Sequence, residues 1–228
     1  MDIGRAFSFV FDDEQWVTSI LIMGLLILVP ILGSILLIGY MLETARNVAM
    51  NSPRPLPKWD NFGDKLSLGF AGFVISLVYA LPIIVLAGLV VCAAVGLGGA
   101  SGSEEAMGAV LGGTFLCIFP LIFVAAILIQ PLMLAAMLRY LQTGSIGSAF
   151  EFGAVISMVR QDLGGWVVLW LLSILCGLVG GLGSMVVIGF IFTVPYGQAA
   201  FGHLLGQKLQ QLGRPSGYDY PSSVGPTM

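Results

Sequence analysis

Four long stretches of this chain, Gln15 to Leu42, Leu66 to Ser103, Ala106 to Leu138 and Leu163 to Gln207, contain no Asp, Glu, Lys or Arg. A helix rises about 1.5 Å per residue, so roughly 20 apolar residues cross a hydrocarbon core of about 30 Å. The second and third stretches each suffice for one long or tilted span. The fourth is too long for one, and Gly180-Gly181-Leu182-Gly183-Ser184 supplies a turn between two. In the first, Val29-Pro30-Ile31-Leu32-Gly33-Ser34 reads either as a kink in one span or as the tip of a short hairpin. Only 9% of the 228 residues are charged and 57% are hydrophobic. A soluble domain, at roughly 25% charged, could not cover its surface with such a chain. The fold expected is therefore all-α: a polytopic helical membrane bundle.

Basic residues accumulate in cytoplasmic loops. Arg46, Arg54, Lys58 and Lys65 between the first two stretches, and Arg139 and Arg160 between the third and fourth, place both segments inside. The Gly98 to Ala106 loop carries Glu104 and Glu105 and no basic residue, and is expected outside. Lys208 and Arg214 put the tail inside if the fourth stretch is a hairpin. Asp12-Asp13-Glu14 ahead of the first stretch is the opposite of a basic leader, so no cleaved signal peptide is expected.

A short repeat bears on the count of spans. Ile3-Gly4-Arg5-Ala6-Phe7-Ser8-Phe9 recurs as Ile146-Gly147-Ser148-Ala149-Phe150-Glu151-Phe152. Ile3, Ala6, Phe7, Val10 and Phe11 share one helical face, and Ile146, Ala149, Phe150 and Ala154 keep the phase, the pattern of an amphipathic helix in the membrane interface. Trp59, Phe62 and Leu66 form a fainter third instance. The reading is one domain over 1–211, with repeats at 1–50, 58–142 and 143–211, and a flexible tail over 212–228. Each repeat pairs an interfacial helix with a helical hairpin, giving about six membrane segments and two cytoplasmic termini. Five spans with an outward N-terminus is the competing count.

The most distinctive local segment is Pro53-Arg54-Pro55-Leu56-Pro57-Lys58-Trp59-Asp60-Asn61-Phe62-Gly63-Asp64. Alternating prolines hold it extended, Asp60 is placed to cap the next helix, and Trp59 and Phe62 suit the headgroup level, as do Phe7 and Phe150. Asp60 and Asp64, one turn apart, could instead hold Mg²⁺ on a phosphate substrate, with Asp12 and Asp13 as the further carboxylates such a site needs. Glu43, Arg46, Gln130, Gln198 and His203 lie in or beside apolar stretches, where polar groups mark transport paths or make interhelical hydrogen bonds. Gly108/Gly112 and Gly177/Gly181 have the small-x-x-x-small spacing of close helix crossings, within one chain or between chains. Gly99-Ala100-Ser101-Gly102 has the form of an intramembrane serine protease motif, but His203 is expected a membrane thickness away. The three cysteines, Cys92, Cys117 and Cys176, lack metal-binding spacing and read as small buried hydrophobes.

Asp2-Ile3-Gly4-Arg5-Ala6-Phe7, Leu28 to Gly33, Gly39-Tyr40-Met41-Leu42 and Pro55 to Gly63 resemble the prokaryotic membrane family called domain of unknown function 4013. Lys58 departs from the acidic residue expected there. The resemblance extends to a wider six-helix group that includes the membrane domain attached to some glycerophosphodiester phosphodiesterases. It implies a bacterial or archaeal plasma membrane and no catalytic residues. A net charge of -3 without a basic patch excludes nucleic acid. Three functional classes follow. The first is a non-enzymatic scaffold, accessory or lipid-interacting component, with membrane lipids, other membrane proteins or a second copy as partners and no cofactor. The alternative is a small-solute transporter or channel, suggested by segments broken at Pro30, Pro82, Pro120, Pro131 and Pro195. The last is the metal-dependent lipid transferase.

Overall fold

The computed structural model describes residues 1–100, 103–183, 185 and 187–213. Its elements are α1 (Ile3–Ser8), a 3-10 turn (Phe9–Asp12), α2 (Trp16–Leu26), α3 (Leu32–Ala49), α4 (Phe62–Ala100), α5 (Glu104–Thr143), a 3-10 turn (Ile146–Phe150), α6 (Phe152–Gln161), α7 (Leu163–Gly183) and α8 (Val187–Leu212). There is no strand among the described residues. Helices α2/α3, α4/α5 and α7/α8 form three hairpins. The ambiguous first stretch is thus a hairpin, turned through Ile31 at φ 65°. Its two arms are tight at the tip, because Gly33 lies against the backbone of Leu26 and Ile27.

Three helices are long and apolar enough to cross a membrane: Phe62–Gly96, Met107–Thr143 and Leu163–Gly183. They stand at the periphery. Phe115, Leu116, Phe119, Leu121, Phe123 and Leu128 of α5 are all exposed, and only 11% of the most apolar window of α4 is buried. The centre is built from α3 and α8, which pack on each other and connect α4 to α7. These two helices are the less apolar ones, and the buried set includes Glu43, His203 and Lys208. A water-soluble bundle sorts its side chains the other way. Outward Leu and Phe with inward Lys and Glu suit a hydrocarbon surround, where polar groups must find partners inside the protein.

Glycine sets the crossings, but not the predicted pairs. On α8, Gly202 and Gly206 face α3: a Cβ at Gly202 would meet Met41 O at 2.5 Å, and one at Gly206 would meet Ala45 O at 2.6 Å. Gly108, Gly112, Gly177 and Gly181 are exposed with nothing within 4 Å of an added Cβ, so no described crossing within this chain uses them. Pro195 lacks the N–H that would bond Ile191 O, and Gly24 of α2 lies directly against that carbonyl. The backbone break in α8 thereby becomes a site of close approach. Of the cysteines, Cys176 is buried, whereas Cys92 and Cys117 are exposed on the peripheral hairpin, an apolar surround being as suitable for a thiol as a core.

Candidate functional site

The polar side chains gather at one end of the bundle, where α1, the end of α3, the start of α4, α6 and the end of α8 meet. The first repeat copy begins with Asp2 capping α1 through Arg5 N–H at 2.9 Å. The helix tightens into the 3-10 turn at Phe9, which breaks the expected single face: Ala6, Phe9 and Val10 are buried, while Ile3 and Phe11 are exposed. A 3-10 turn has about 3.0 residues per turn against 3.6, so the phase of the face shifts. The second copy is itself a 3-10 turn, Ile146–Phe150, with Ala149 buried and Phe150 half-buried.

Each entry segment, the stretch that leads into a hairpin, is held by a different hairpin. Tyr196 on α8 donates to Phe7 O at 2.7 Å, and Phe9 lies 4.6 Å from the His203 ring. Trp59 donates its Nε1–H to Ser19 O of α2 at 3.1 Å and stacks on Tyr40 of α3 at 6.3 Å. Tyr79 on α4 donates to Ala149 O at 2.8 Å, and Arg139 of α5 donates to Ser148 O at 3.1 Å.

Two buried lysines clamp helix pairs beneath these segments. Lys65, with its side chain 0% exposed, donates to Lys58 O, sits 5.4 Å over the Trp59 ring, and pairs with Glu43. Glu43 Oε1 accepts at 3.4 Å, and Oε2 lies 3.1 Å from Nζ in ion-pair contact without an aligned hydrogen bond. Arg46 is half-buried one turn further along α3, near enough for its charge to act on Glu43. At the other side Lys208 bonds Asp162 and sits 5.1 Å over the Trp166 ring. Asp162 caps α7 through Gly165 N–H at 3.0 Å. The Lys208 hydrogen bond, then the Gly165 N–H, hold its carboxyl below the usual carboxylate range.

Asp60 does not cap α4. It is exposed, and Asn61 stands before the helix, donating to Asp64 Oδ2 at 2.7 Å. No group of three or more His, Cys, Asp or Glu side chains comes together among the described residues. Asp12 is instead paired with Arg5 at 2.7 Å, and Asp13 is buried and bonds Gln15 N–H. Phe62 is exposed at the start of α4. Gln130 accepts from Trp170 Nε1–H at 3.1 Å and donates to Ser173 Oγ at 3.2 Å, joining α5 to α7. Gln198 is half-buried, and no hydrogen bond of its side chain is found among the described residues. Ser101 and the tail from 214 onward lie outside the described residues.

A polar cavity of about 610 Å³ opens between α1, the end of α3 and the end of α8, lined among others by Asp2, Arg5, Asn51, His203, Gln207 and Gln210. Its hydrogen bonds fix their own polarity. Asp2 N–H can only donate, so the Gln207 oxygen it meets at 2.6 Å is the acceptor end of that amide. Gln207 Nε2 therefore donates, to Asp2 O at 2.9 Å and to His203 Nδ1 at 3.0 Å. His203 then carries its proton on Nε2, which has no partner among the described residues. Gln210 Nε2 donates to Val48 O at 2.6 Å and to Asn51 Oδ1 at 2.9 Å. Of these residues the sequence marks His203 as a polar candidate, and Asp2 and Arg5 only as part of the N-terminal motif. The signal available for the rest was the polar run Gln207-Lys208-Leu209-Gln210-Gln211, with Gln207 one helical turn beyond His203.

The family model for proteins of unknown function called DUF4013 matches residues 22–194, well over half of the chain. The chain belongs to this family. The match takes in all of α3 to α7 and the tryptophan segment between α3 and α4. Neither a curated protein nor a solved structure shows significant similarity to it.

Proposed function

We propose that this DUF4013 protein is a multi-pass component of a prokaryotic plasma membrane that works as a non-enzymatic scaffold or accessory subunit in contact with lipid. Its three hairpins supply six membrane segments, α2, α3, α4, α5, α7 and α8, with the polar end and both termini on the cytoplasmic side. Two features support this arrangement. The basic residues Arg46, Arg54, Lys65, Arg139, Arg160 and Lys208 all belong to the polar end. The entry segments also dock in a cycle, first repeat on third, second on first, third on second, as three copies of one unit closing on each other would.

The observation that carries the scaffold reading is where the intramembrane polar groups are spent. Of Tyr79, Gln130 and Gln198, the side chains that would line a transport path, the first two hold Ala149 O, Trp170 and Ser173, and Gln198 is half-buried with no hydrogen bond among the described residues. The polar cavity lies at the cytoplasmic end and none of them lines it. Structural use of Tyr79 and Gln130 leaves the outer faces of α4, α5 and α7 as the working surface. The test is gentle extraction of the tagged chain from its native membrane, with the copurifying proteins and lipids identified. A stoichiometric protein partner supports the reading. Recovery alone, with solute flux into liposomes above that of protein-free vesicles, contradicts it.

A further inference from the structure

The cavity between α1, α3 and α8 has a chemical signature that the scaffold reading does not use. The Gln207 amide is satisfied at both ends within the protein, and the charged and proton-bearing groups of the lining keep free hydrogen-bonding capacity. Arg5 pairs with Asp12 through Nη1 alone and is about half exposed, which leaves the rest of its guanidinium edge free. His203 presents Nε2–H with no partner among the described residues. Asp2 uses Oδ1 to cap α1, and its second oxygen is unused. Two donors suited to phosphate oxygens thus share one cavity with a carboxylate, so groups of opposite charge, Arg5 and Asp2, line the same space. A purely anionic ligand would meet the carboxylate unfavourably, and a purely cationic one the guanidinium. A volume of about 610 Å³ is within the usual range for small-ligand sites, about 300–1,000 Å³. Ile3, next in the chain to the lining residue Asp2, and Phe11 are exposed on the same N-terminal segment, as suits a mouth at the depth of lipid headgroups.

We infer that this cavity binds a zwitterionic phosphodiester carrying a primary ammonium, the headgroup chemistry of phosphatidylethanolamine, with Arg5 and His203 on the phosphate and Asp2 on the ammonium. The assignment rests on the lipid-interacting reading above and narrows it to one headgroup class at one place.

The test uses the full chain, purified in detergent and offered an equimolar mixture of phosphatidylethanolamine and phosphatidylglycerol, with retained lipid counted by native mass spectrometry. Wild type should retain the ethanolamine lipid about fivefold over the glycerol lipid. Asp2→Asn keeps an N-cap while removing the charge, and should abolish that preference. Arg5→Gln and His203→Gln should lower retention of both lipids, with melting temperatures close to wild type showing that the fold is intact. Displacement by soluble glycerophosphoethanolamine at submillimolar concentration would keep the chemistry and assign the site to a water-soluble phosphodiester; no displacement assigns it to the lipid. Equal retention of the two lipids by wild type, or unchanged preference in Asp2→Asn, overturns the inference. Solute flux in liposomes with headgroup preference intact would overturn the scaffold reading alone, so the two failures are distinguishable.

Discussion

Replacing Gly206 with alanine puts the α3–α8 crossing under a calculable load. The new methyl would lie 2.6 Å from Ala45 O and 2.5 Å from Val48 Cβ, where ordinary contact begins at 3.4 Å. Backbone and a branched side chain cannot rotate away, so α8 must retreat from α3 by about 0.8 Å, and gaps of that size forfeit a quarter to a half of each dispersion contact they open. Overpacking of this kind costs about 1–3 kcal/mol. Alanine returns about 0.5–1 kcal/mol of helix propensity, which leaves a net loss of up to about 2.5 kcal/mol. For a chain of this size about 2–4 °C accompanies each kcal/mol, so thermal unfolding in detergent should begin up to about 10 °C lower. Gly202→Ala, with Met41 O at 2.5 Å, should behave alike. Gly108→Ala and Gly177→Ala meet nothing within 4 Å and should gain the propensity without the clash, raising the midpoint by about 1–4 °C. The same shift in all four variants, or a loss confined to Gly108 and Gly177, would refute the reasoning.

Lys65→Met should destabilise by about 3–5 kcal/mol by stranding the buried Glu43 carboxylate, and Lys65→Met with Glu43→Leu should recover most of that loss, as denaturant titration would show. Tyr196→Phe removes the hydrogen bond to Phe7 O and should cost about 0.5–1.5 kcal/mol, with faster amide exchange in α1 but not in α6; Tyr79→Phe should do the reverse. The Asp162 carboxyl is depressed, so its contribution is complete above the ordinary carboxylate value of 3.8 and is lost as pH falls through the lower folded value. Melting curves from neutral pH into that acid window should fall more steeply for wild type than for Asp162→Asn.

The charge-free stretches made the hairpins legible, because hydrocarbon permits so few alternatives to a helix. Within the first stretch, Pro30 and Gly33 announced a break but could not distinguish kink from turn; the positive φ at Ile31 and the contact of Gly33 with Leu26 are tertiary facts. The glycine pairs show the limit most clearly. Gly108/Gly112 and Gly202/Gly206 have identical spacing, and what separates them is that α8 is central while the outer part of α5 is peripheral. That information lies in the packing order of the helices. Asp60 was placed as a cap by its distance from Phe62, yet the helix begins after Asn61, a one-residue difference within the ordinary scatter of helix ends. The cavity is not legible in the sequence, because its walls come from residues far apart in the chain, Asp2 and Gln207 among them, joined by hydrogen bonds that no local pattern announces.

The central claim is a membrane protein of three hairpins with one polar, cytoplasmic end. Its most direct test is cysteine mapping in intact cells on a chain whose native Cys92, Cys117 and Cys176 are replaced. Single cysteines at Ile31, Ser103 and Met185 mark the three hairpin tips, and those at Ser52, Ser145 and Gly213 mark the polar end. The account predicts that a membrane-impermeant maleimide labels all three tips from outside, and the polar end only after permeabilisation. Labelling of Ser103 with Ile31 or Met185 protected until the membrane is opened would contradict it.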